Sequence, residues 1–370
     1  MYSVKILCVI DSLGSGGAQK QMCNLACGLK AKGHDVEMLV YFPVYHFFRS
    51  EVDEAGIIVH EVEKQAGFSW RVVFRIRQLL RSRVYDAVIS FLAMPNLYCE
   101  LAKLLAFSRT LLIVSERSSA AGDKAWLKPK VFRMMHCFAN YVVANSCSHA
   151  KWLRSHFWLH RKTRVIFNGY NLFPKIPKRQ SSSEKRYSYL VIGRVNSVKN
   201  GRRLIEALAL YVQRHGKAPS VAWTGRQELD SESLKIRKDM DILLAQHPEV
   251  AKNWHWLGER NDVSNLLQKC DALLHISLYE GLPNVICEAF IEQCPVIASN
   301  VCDHPLLVEE GVRGILCDPL SVVSICEAIE RFESLSAQTR KSLGENARRY
   351  AEANLAIEKM VPAYEELITG

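Results

Sequence analysis

The sequence lacks the patterns that mark metal-binding, secreted and membrane-spanning proteins. Its twelve cysteines include no Cys-x-x-Cys pair and no Cys/His cluster with metal-ligand spacing. Cys8, Cys270 and Cys287 fall inside apolar runs, which predicts small core residues in a reducing compartment. The apolar part of the N-terminus is too short for a secretory signal, and no apolar run could cross a bilayer. We therefore expect a cytoplasmic protein.

Positive charge is unevenly distributed along the chain. Residues 1–180 contain 26 Lys and Arg against 12 Asp and Glu, whereas residues 181–370 contain 22 against 26. This asymmetry indicates two domains with different partners. Basic stretches with interleaved aromatic residues, at 70–81, 124–135 and 151–164, could lie on the cytoplasmic face of an anionic membrane. The alternative is that their apolar faces are core and their charges a solvated rim. No nucleic-acid motif accompanies the charge, so we expect no nucleic-acid partner.

Apolar segments of strand length alternate with helical segments throughout the 370 residues. Such alternation predicts an α/β protein with doubly wound parallel sheets, in two Rossmann-like domains. The polar, proline- and serine-rich stretch 174–185 is the best candidate boundary. We predict an N-terminal domain over 1–172, a linker over 173–186, a C-terminal domain over 187–350 and a terminal helix over 351–370.

One loop of the second domain combines a buried strand with a helix start. The apolar run 271–276 predicts a buried strand, and Gly281 and Pro283 then favour a turn into a helix. Backbone N–H groups near 282–284 would lie at the positive end of that helix, where phosphate binds well.

Two carboxylates flank this helix start. Glu280 precedes the helix and Glu288 lies more than a turn along it, so they could hold hydroxyl groups of a sugar nucleotide from two directions. The alternative is an ordinary turn with two solvated glutamates. A glycosidase is not indicated, because hydrolysis needs two carboxyl groups that face one bond across a fixed gap.

Two cations follow the first strand of the second domain. Arg194 and Lys199 lie in a loop with Gly193 and could neutralise a diphosphate, unless they form only a solvated basic loop. The first domain also has a glycine-rich loop after its first strand. Its glycines, Gly14, Gly16 and Gly17, do not have the G-x-G-x-x-G spacing of a dinucleotide site, so a dehydrogenase is only weakly supported.

Taken together, these motifs resemble family 4 of the retaining glycosyltransferases, of the GT-B fold and the bacterial surface-polysaccharide type. The matching features are the Glu-(seven residues)-Glu pair Glu280–Glu288, the Gly16-Gly17-Ala18 loop, Gly193-Arg194 with Lys199, Gly258, and Asn168-Gly169. Three positions depart from the family pattern. Gln19-Lys20 replaces Glu-Arg, Asn171 replaces an acid, and Glu116 or Arg117 stands where relatives often have a histidine that contacts the donor sugar.

The resemblance implies roles for individual residues. Glu280 would hold hydroxyls of the donor sugar, Glu288 would bind the ribose, and Arg194 and Lys199 would stabilise the departing diphosphate. Glu116 or Arg117 would contact the donor sugar or the acceptor. The implied donor-binding set is Gly16, Gly17, Gly193, Gly225, Arg260, Asn261, Gly281, Leu282, Pro283, Asn284 and Glu288.

The resemblance further implies two Rossmann-like domains that face a cleft, with a terminal helix that returns to the first. The expected activity is transfer of a hexosyl or N-acetylhexosaminyl group from a nucleotide-sugar, such as a UDP-sugar, to a glycan or lipid-linked acceptor with retention of configuration. No cofactor is expected, and no metal, because protein cations would take its role and the chain has no Asp-x-Asp motif at a strand end. The alternatives are a sugar-nucleotide epimerase and a non-catalytic partner subunit.

Overall fold

The computed structural model describes residues 3–82, 84–117, 132–172 and 187–370. The chain divides into two compact units. Unit 1 comprises Met1–Asn171 and Asn354–Gly370, and unit 2 comprises Leu172–Ala353. The stretch 173–186, which the sequence suggests as a linker, lies outside the described residues.

Unit 1 contains a seven-stranded parallel sheet in the order β3-β2-β1-β4-β5-β6-β7. Its strands are β1 (Lys5–Val9), β2 (Asp35–Val40), β3 (Ile58–Glu61), β4 (Ala87–Phe91), β5 (Leu111–Glu116), β6 (Tyr141–Ala144) and β7 (Thr163–Val165). The central strands β1 and β4 are almost entirely buried, as expected for a parallel sheet that is covered on both faces.

Helices cover both faces of this sheet. They are α1 (Gly17–Ala31), α2 (Arg49–Glu54), α3 (Trp70–Ser82), α4 (Ala93–Ala106) and α5 (Cys147–His156). Two clusters of buried side chains form the core, one on each face of the sheet. The basic stretch 124–135 falls mostly outside the described residues. Its described end is helical from 132 to 134 and continues as a 3-10 turn, Met135–Phe138.

Unit 2 contains a six-stranded parallel sheet in the order β10-β9-β8-β11-β12-β13. Its strands are β8 (Tyr187–Ile192), β9 (Val221–Thr224), β10 (Trp254–Gly258), β11 (Cys270–His275), β12 (Val296–Ser299) and β13 (Gly314–Cys317). Its helices are α6 (Gly201–His215), α7 (Ser231–Gln246), α8 (Pro248–Ala251), α9 (Val263–Gln268), α10 (Asn284–Ile291), α11 (His304–Val308), α12 (Val322–Ser334) and α13 (Ala337–Asn354).

The C-terminal segment returns to unit 1. The final helix, α14 (Ile357–Thr369), packs against α1, with Met360, Val361 and Tyr364 buried in the core of that unit. The two helices approach closely at Gly28, where a Cβ atom would lie 2.4 Å from Val361 Cγ2. Any larger residue at position 28 would therefore push α14 away.

The predicted α/β class with two Rossmann-like parallel sheets is confirmed. Helices α2, α8 and α11 are only four to six residues long, too short to display a helical period in the sequence. The segment 351–370, predicted as a terminal helix, contains the end of α13 and, after a break at 355–356, the helix α14. No described helix is long and apolar enough to cross a membrane.

Candidate functional site

The topology of unit 2 brings two loops together at one edge of its sheet. β8 and β11 are adjacent parallel strands, and the chain runs outward from them in opposite directions across the sheet. Ligands of open α/β sheets bind at such a switch point, beyond the carboxyl ends of the strands. The loop after β8 carries Arg194 and Lys199, and the loop after β11 carries Glu280.

Lys199 and Glu280 form an ion pair at this switch point. Lys199 Nζ donates to Glu280 Oε1 at 2.6 Å, and both side chains are mostly buried, with 17% and 20% of their surface exposed. The backbone N–H of Lys199 is capped by the Asn196 side chain. The next residue, Asn200, donates its amide to the carbonyls of Ile276 and Pro319, which fixes the loop after β8 to the loop after β11.

Glu280 uses only one of its carboxylate oxygens within the protein. Lys199 Nζ and His275 Nε2, the latter at 3.4 Å, both face Oε1, while Oε2 has no partner among the described residues. Burial alone would raise the pKa of Glu280, but the His275 hydrogen bond and the Lys199 charge outweigh it and hold this pKa well below its usual range. Glu280 is therefore an ionised acceptor with one oxygen available.

Arg194 is more exposed than Lys199. Its side chain is 62% exposed, and NH1 donates to Glu228 Oε1 at 3.0 Å, as Arg226 NH2 also does. An exposed pair of this kind is weak, so an incoming diphosphate could replace Glu228 as the partner of Arg194.

The glycines of this edge permit close backbone packing. Gly225, directly after β9, has φ +153, and a Cβ atom there would lie 2.1 Å from the carbonyl oxygen of Gly193. The Gly193 N–H donates to Thr224 O and the Gly225 N–H to Gly258 O, which joins the ends of three neighbouring strands. The glycines thus allow the loops that carry the charged side chains to meet.

Glu288 lies on α10, in the middle of the helix. Burial raises the pKa of Glu288 to about 7, and no described residue forms a hydrogen bond or ion pair with its carboxylate. A mostly buried carboxylate without a partner is unfavourable when it is charged. Its oxygens are therefore unused acceptors in a ligand-free protein.

The remaining predicted donor-binding residues lie on the same edge of unit 2. Pro283 caps α10, which begins at Asn284 rather than at the proline, and Leu282 is buried beside it. Gly281 is in the loop before them. Beyond β10, Arg260 forms a two-bond ion pair with Asp262, and Asn261 is exposed between them.

The glycine-rich loop of unit 1 is bound by local contacts. Gly16 caps α1 and Gly17 is the first residue of that helix. Gln19, which replaces the family's acid, donates its side-chain amide to Asp11 Oδ1 at 2.8 Å. Gln19 thus joins the start of α1 to the end of β1.

Glu116 lies in a buried ionic cluster, which we define as Glu100, Glu116, Arg133, His136 and His149. His136 faces Glu116 Oε1 at 3.0 Å and Glu100 Oε1 at 2.6 Å, while Arg133 Nε donates to Glu116 Oε2 at 3.2 Å. Burial opposes the charge on His136, but the two carboxylates raise its pKa to about 9. Both oxygens of Glu116 are thus engaged inside unit 1.

Arg117 points to a different part of unit 1. Its guanidinium lies over the Phe91 ring, with the carbon 3.7 Å from the ring centroid, and donates to Asn168 Oδ1 and to the Tyr364 hydroxyl. Burial lowers the pKa of Arg117. These contacts join the end of β5 to α14 and give Arg117 a role in packing.

Three residues of the unit 2 site were not predicted as functional. His275 faces Glu280, His304 packs against the His275 ring, and Glu228 binds Arg194. A histidine at the carboxyl end of an apolar strand is the one sequence signal that could have identified His275. In the described part of the chain, no group of three His, Cys, Asp or Glu residues could hold a metal ion.

Family models match both halves of the chain. The model described as Glycosyltransferase Family 4 matches residues 15–172, and the model described as Glycosyl transferases group 1 matches residues 173–350. The second match contains the charged loops after β8 and β11 and helix α10.

Individual relatives match over nearly the full length. The chain is 27% identical to a Campylobacter jejuni enzyme, "GalNAc-alpha-(1->4)-GalNAc-alpha-(1->3)-diNAcBac-PP-undecaprenol alpha-1,4-N-acetyl-D-galactosaminyltransferase", over 94% of this chain and 93% of the relative. It is 21% identical to "Lipopolysaccharide glucosyltransferase WaaG" of Escherichia coli K12, over 93% of each. The structure of Anabaena Alr3699/HepE in complex with UDP and glucose matches with a TM-score of 0.82 and 20% identity, over 99% of this chain and 100% of that one.

Proposed function

Because the chain belongs to glycosyltransferase family 4, with the GT-B fold, we propose that it transfers a hexosyl or N-acetylhexosaminyl group from a UDP-sugar to a glycan or lipid-linked glycan in surface-polysaccharide assembly. One observation carries the proposal. At the switch point of unit 2, Glu280 is paired through one oxygen with Lys199 and keeps its other oxygen available, and the loop after β8 that carries Lys199 also carries the exposed cation Arg194.

Each charged residue has a separate task in this proposal. Glu288 accepts the ribose hydroxyls, and Glu280 accepts a hydroxyl of the transferred sugar through Oε2. Lys199 and Arg194 bind the diphosphate, whose negative charge increases as the bond between sugar and phosphate breaks. Because this charge is greatest in the transition state, the two cations accelerate the reaction as well as bind the donor.

The donor-binding backbone completes this arrangement. The loops at Gly193, Gly225 and Gly281 bring main chain close to the donor, and the amides near the start of α10 meet its phosphate or sugar. Arg260 and Asn261 lie near the base. In unit 1, Gly16 and Gly17 stay predicted donor-binding residues, whereas Glu116 and Arg117 are buried and bound to other residues of the same unit.

We further propose retention of configuration by front-face displacement, without a metal ion. Lys199 and Arg194 would take the role that a divalent cation has in other transferases. Activity that is unchanged by EDTA, and a product whose anomeric configuration matches the donor by NMR, are the expected results. Loss of activity in EDTA with recovery on addition of Mg²⁺ would contradict metal independence.

For the acceptor, we propose a lipid-linked glycan reached at the cytoplasmic membrane surface. The name of the Campylobacter relative describes an undecaprenol-linked acceptor. On α3, Val72, Val73 and Ile76 are buried, whereas Trp70 and Phe74 are about half exposed on a helix rich in arginine. Exposed aromatic rings beside cations suit an anionic headgroup region.

A flotation assay tests this membrane contact. We expect the protein to float with vesicles that contain phosphatidylglycerol and to remain free with phosphatidylcholine alone. The double variant Trp70→Ser/Phe74→Ser should reduce flotation, while the matched pair Leu229→Ser/Leu234→Ser, also exposed but in unit 2, should not. Equal flotation of both double variants would contradict the proposed surface.

Calorimetry with nucleoside diphosphates and their sugars tests the donor. UDP should bind, and it should stabilise the native state by mass action. Incubation of a bound UDP-sugar with lipid-linked acceptors should then give a longer glycan and free UDP. Conversion of the donor to its epimer without acceptor would favour the epimerase, and binding of NAD without any UDP would overturn the proposal.

A further inference from the structure

His275 lies directly behind the carboxylate that is proposed to hold the transferred sugar. It is the last residue of β11 and is 2% exposed, so no substrate can reach it. Its Nε2 lies 3.4 Å from Glu280 Oε1 and 3.4 Å from the Ser277 hydroxyl. Because the Glu280 carboxylate can only accept, His275 donates to it in the tautomer with the proton on Nε2, in which the Ser277 hydroxyl is a second acceptor at the same distance.

A second histidine fixes the surroundings of the His275 ring. His304 packs against it edge to face, with ring centroids 5.1 Å apart. The Ser299 hydroxyl gives its proton to Ser277 O at 2.6 Å, so Ser299 Oγ and Ser299 O can only accept from His304 Nδ1, at 3.1 and 2.9 Å. His304 is therefore held in one tautomer.

Both rings are uncharged at neutral pH. Burial and the charge of Lys199 lower the pKa of His275, and burial together with His275 lowers the pKa of His304 to about 3. His275 thus supplies Glu280 with a directed hydrogen bond but no net charge. Lys199 supplies the charge, on a flexible stem that does not define a direction.

We propose that His275 is a positioning residue: it holds Glu280 by Oε1, together with Lys199, so that Oε2 points to a hydroxyl of the donor sugar. This inference rests on the proposed function. In that function the diphosphate competes with Glu280 for Lys199. The diphosphate does not compete for the buried His275, whose other partner is the Ser277 hydroxyl, so His275 keeps Glu280 in place while Lys199 turns to the leaving group. The backbone of Glu280 is held separately, because its N–H donates to Cys302 Sγ at 3.5 Å.

Two substitutions at position 275 distinguish loss of the hydrogen bond to Glu280 from loss of side-chain volume. Leucine fills the space of His275 but donates no hydrogen bond, whereas glutamine places an amide N–H close to the position of Nε2. The readouts are kcat for release of UDP from a UDP-sugar, with acceptor or with water as acceptor, and the calorimetric Kd of UDP alone. UDP lacks the sugar, so its affinity reports the nucleotide site and the fold without involving Glu280 Oε2.

We expect His275→Leu to lower kcat about 100-fold, as a displacement of about 1 Å can. His275→Gln should recover most of this loss, and the UDP Kd should change by no more than about twofold in either variant, because nucleotide contacts are retained. The matched control is His255→Leu, on β10 of the same sheet, which should leave kcat unchanged.

Each contrary result has a distinct meaning. If His275→Leu turns over like wild type, or if both variants lose UDP affinity as strongly as kcat, the positioning role is overturned while the proposed function stands. Should the leucine variant fail to fold, the glutamine variant decides, since an inactive but UDP-binding His275→Gln also contradicts the role. A wild-type protein that binds no nucleoside diphosphate instead overturns the proposed function itself.

Discussion

The two units use buried glutamates in opposite ways. In unit 1, Glu116 has both oxygens bound, by His136 on one side and Arg133 on the other. In unit 2, Glu280 has one oxygen bound, and Glu288 has neither bound among the described residues. Glu100 Oε2 of the unit 1 cluster is buried without a partner, whereas the oxygens of Glu280 and Glu288 are not among the fully buried unpartnered atoms, so a ligand can supply donors to the two glutamates of unit 2.

The buried glutamates of the two units also have different effects on the stability of the protein. The ion pairs of Glu116 and His136 inside unit 1 join β5, α4 and the 3-10 turn Met135–Phe138. In unit 2, the buried Glu288 carboxylate has a raised pKa, so its charged form instead reduces the stability of the ligand-free protein. Natural active sites commonly carry such a stability cost.

The largest effect should come from breaking the cluster of unit 1. His136→Leu leaves Glu100 and Glu116 buried without the cation that joins them, and should lower the free energy of unfolding by about 3–5 kcal/mol. Urea denaturation measures this change. His160→Leu, at an exposed histidine of the same unit, should cost no more than about 0.5 kcal/mol. Similar losses in both variants would show that the cluster is not a stabilising network.

The next effect should come from the ion pair of unit 2. Lys199→Ala removes the charge proposed to stabilise the leaving diphosphate, and should lower kcat about 10²- to 10³-fold. Steady-state release of UDP measures it, with Lys252→Ala, at an exposed lysine, as control. An unchanged kcat in Lys199→Ala would remove this residue from the mechanism.

Substitution of Glu288 should have smaller effects, which favour stability and oppose UDP binding. Burial raises its pKa to about 7, so the charged form destabilises the free protein as pH rises from the unfolded value, near 4.3, through 7. Glu288→Gln should therefore raise Tm at pH 8 while it weakens UDP binding about tenfold, through loss of a charged hydrogen bond. Scanning calorimetry and titration calorimetry give the two values. A lower Tm would show that the carboxylate is satisfied.

The same group predicts a pH dependence of binding. If the ionised carboxylate receives the ribose, the affinity of wild type for UDP should rise from pH 6 to pH 8 as Glu288 loses its proton. Glu288→Gln should show a flatter profile. A wild-type profile that falls over this range would assign the ribose contact to another residue.

The smallest effect concerns the pH dependence of stability in unit 1. The folded pKa of His136 is raised to about 9, so its contribution is complete below the unfolded pKa, near 6.5, and is lost as pH rises through 9. Between pH 7 and 9.5, wild type should lose more stability than His136→Leu. Parallel losses in the two proteins would contradict a charged His136.

The strands were predictable because buried parallel strands are continuous apolar runs. The predicted buried strand at 271–276 is β11, Cys270–His275. The short helices were not predictable, because four to six residues do not display a helical period. The roles of the histidines were not predictable from sequence, since His136 lies between two carboxylates of a structural cluster and His275 lies behind a carboxylate with a free oxygen.

By itself, the sequence determined the α/β class and the family, because apolar periodicity and the spacing of glycines and charges are local properties of the chain. Only the tertiary structure decided which charges meet. Lys199 and Glu280 are 81 positions apart, and they pair because β8 and β11 are neighbours at the point where the sheet changes direction. Folding also decided which carboxylate oxygens have donors within the protein, since the free energy of a buried charge depends on the groups around it.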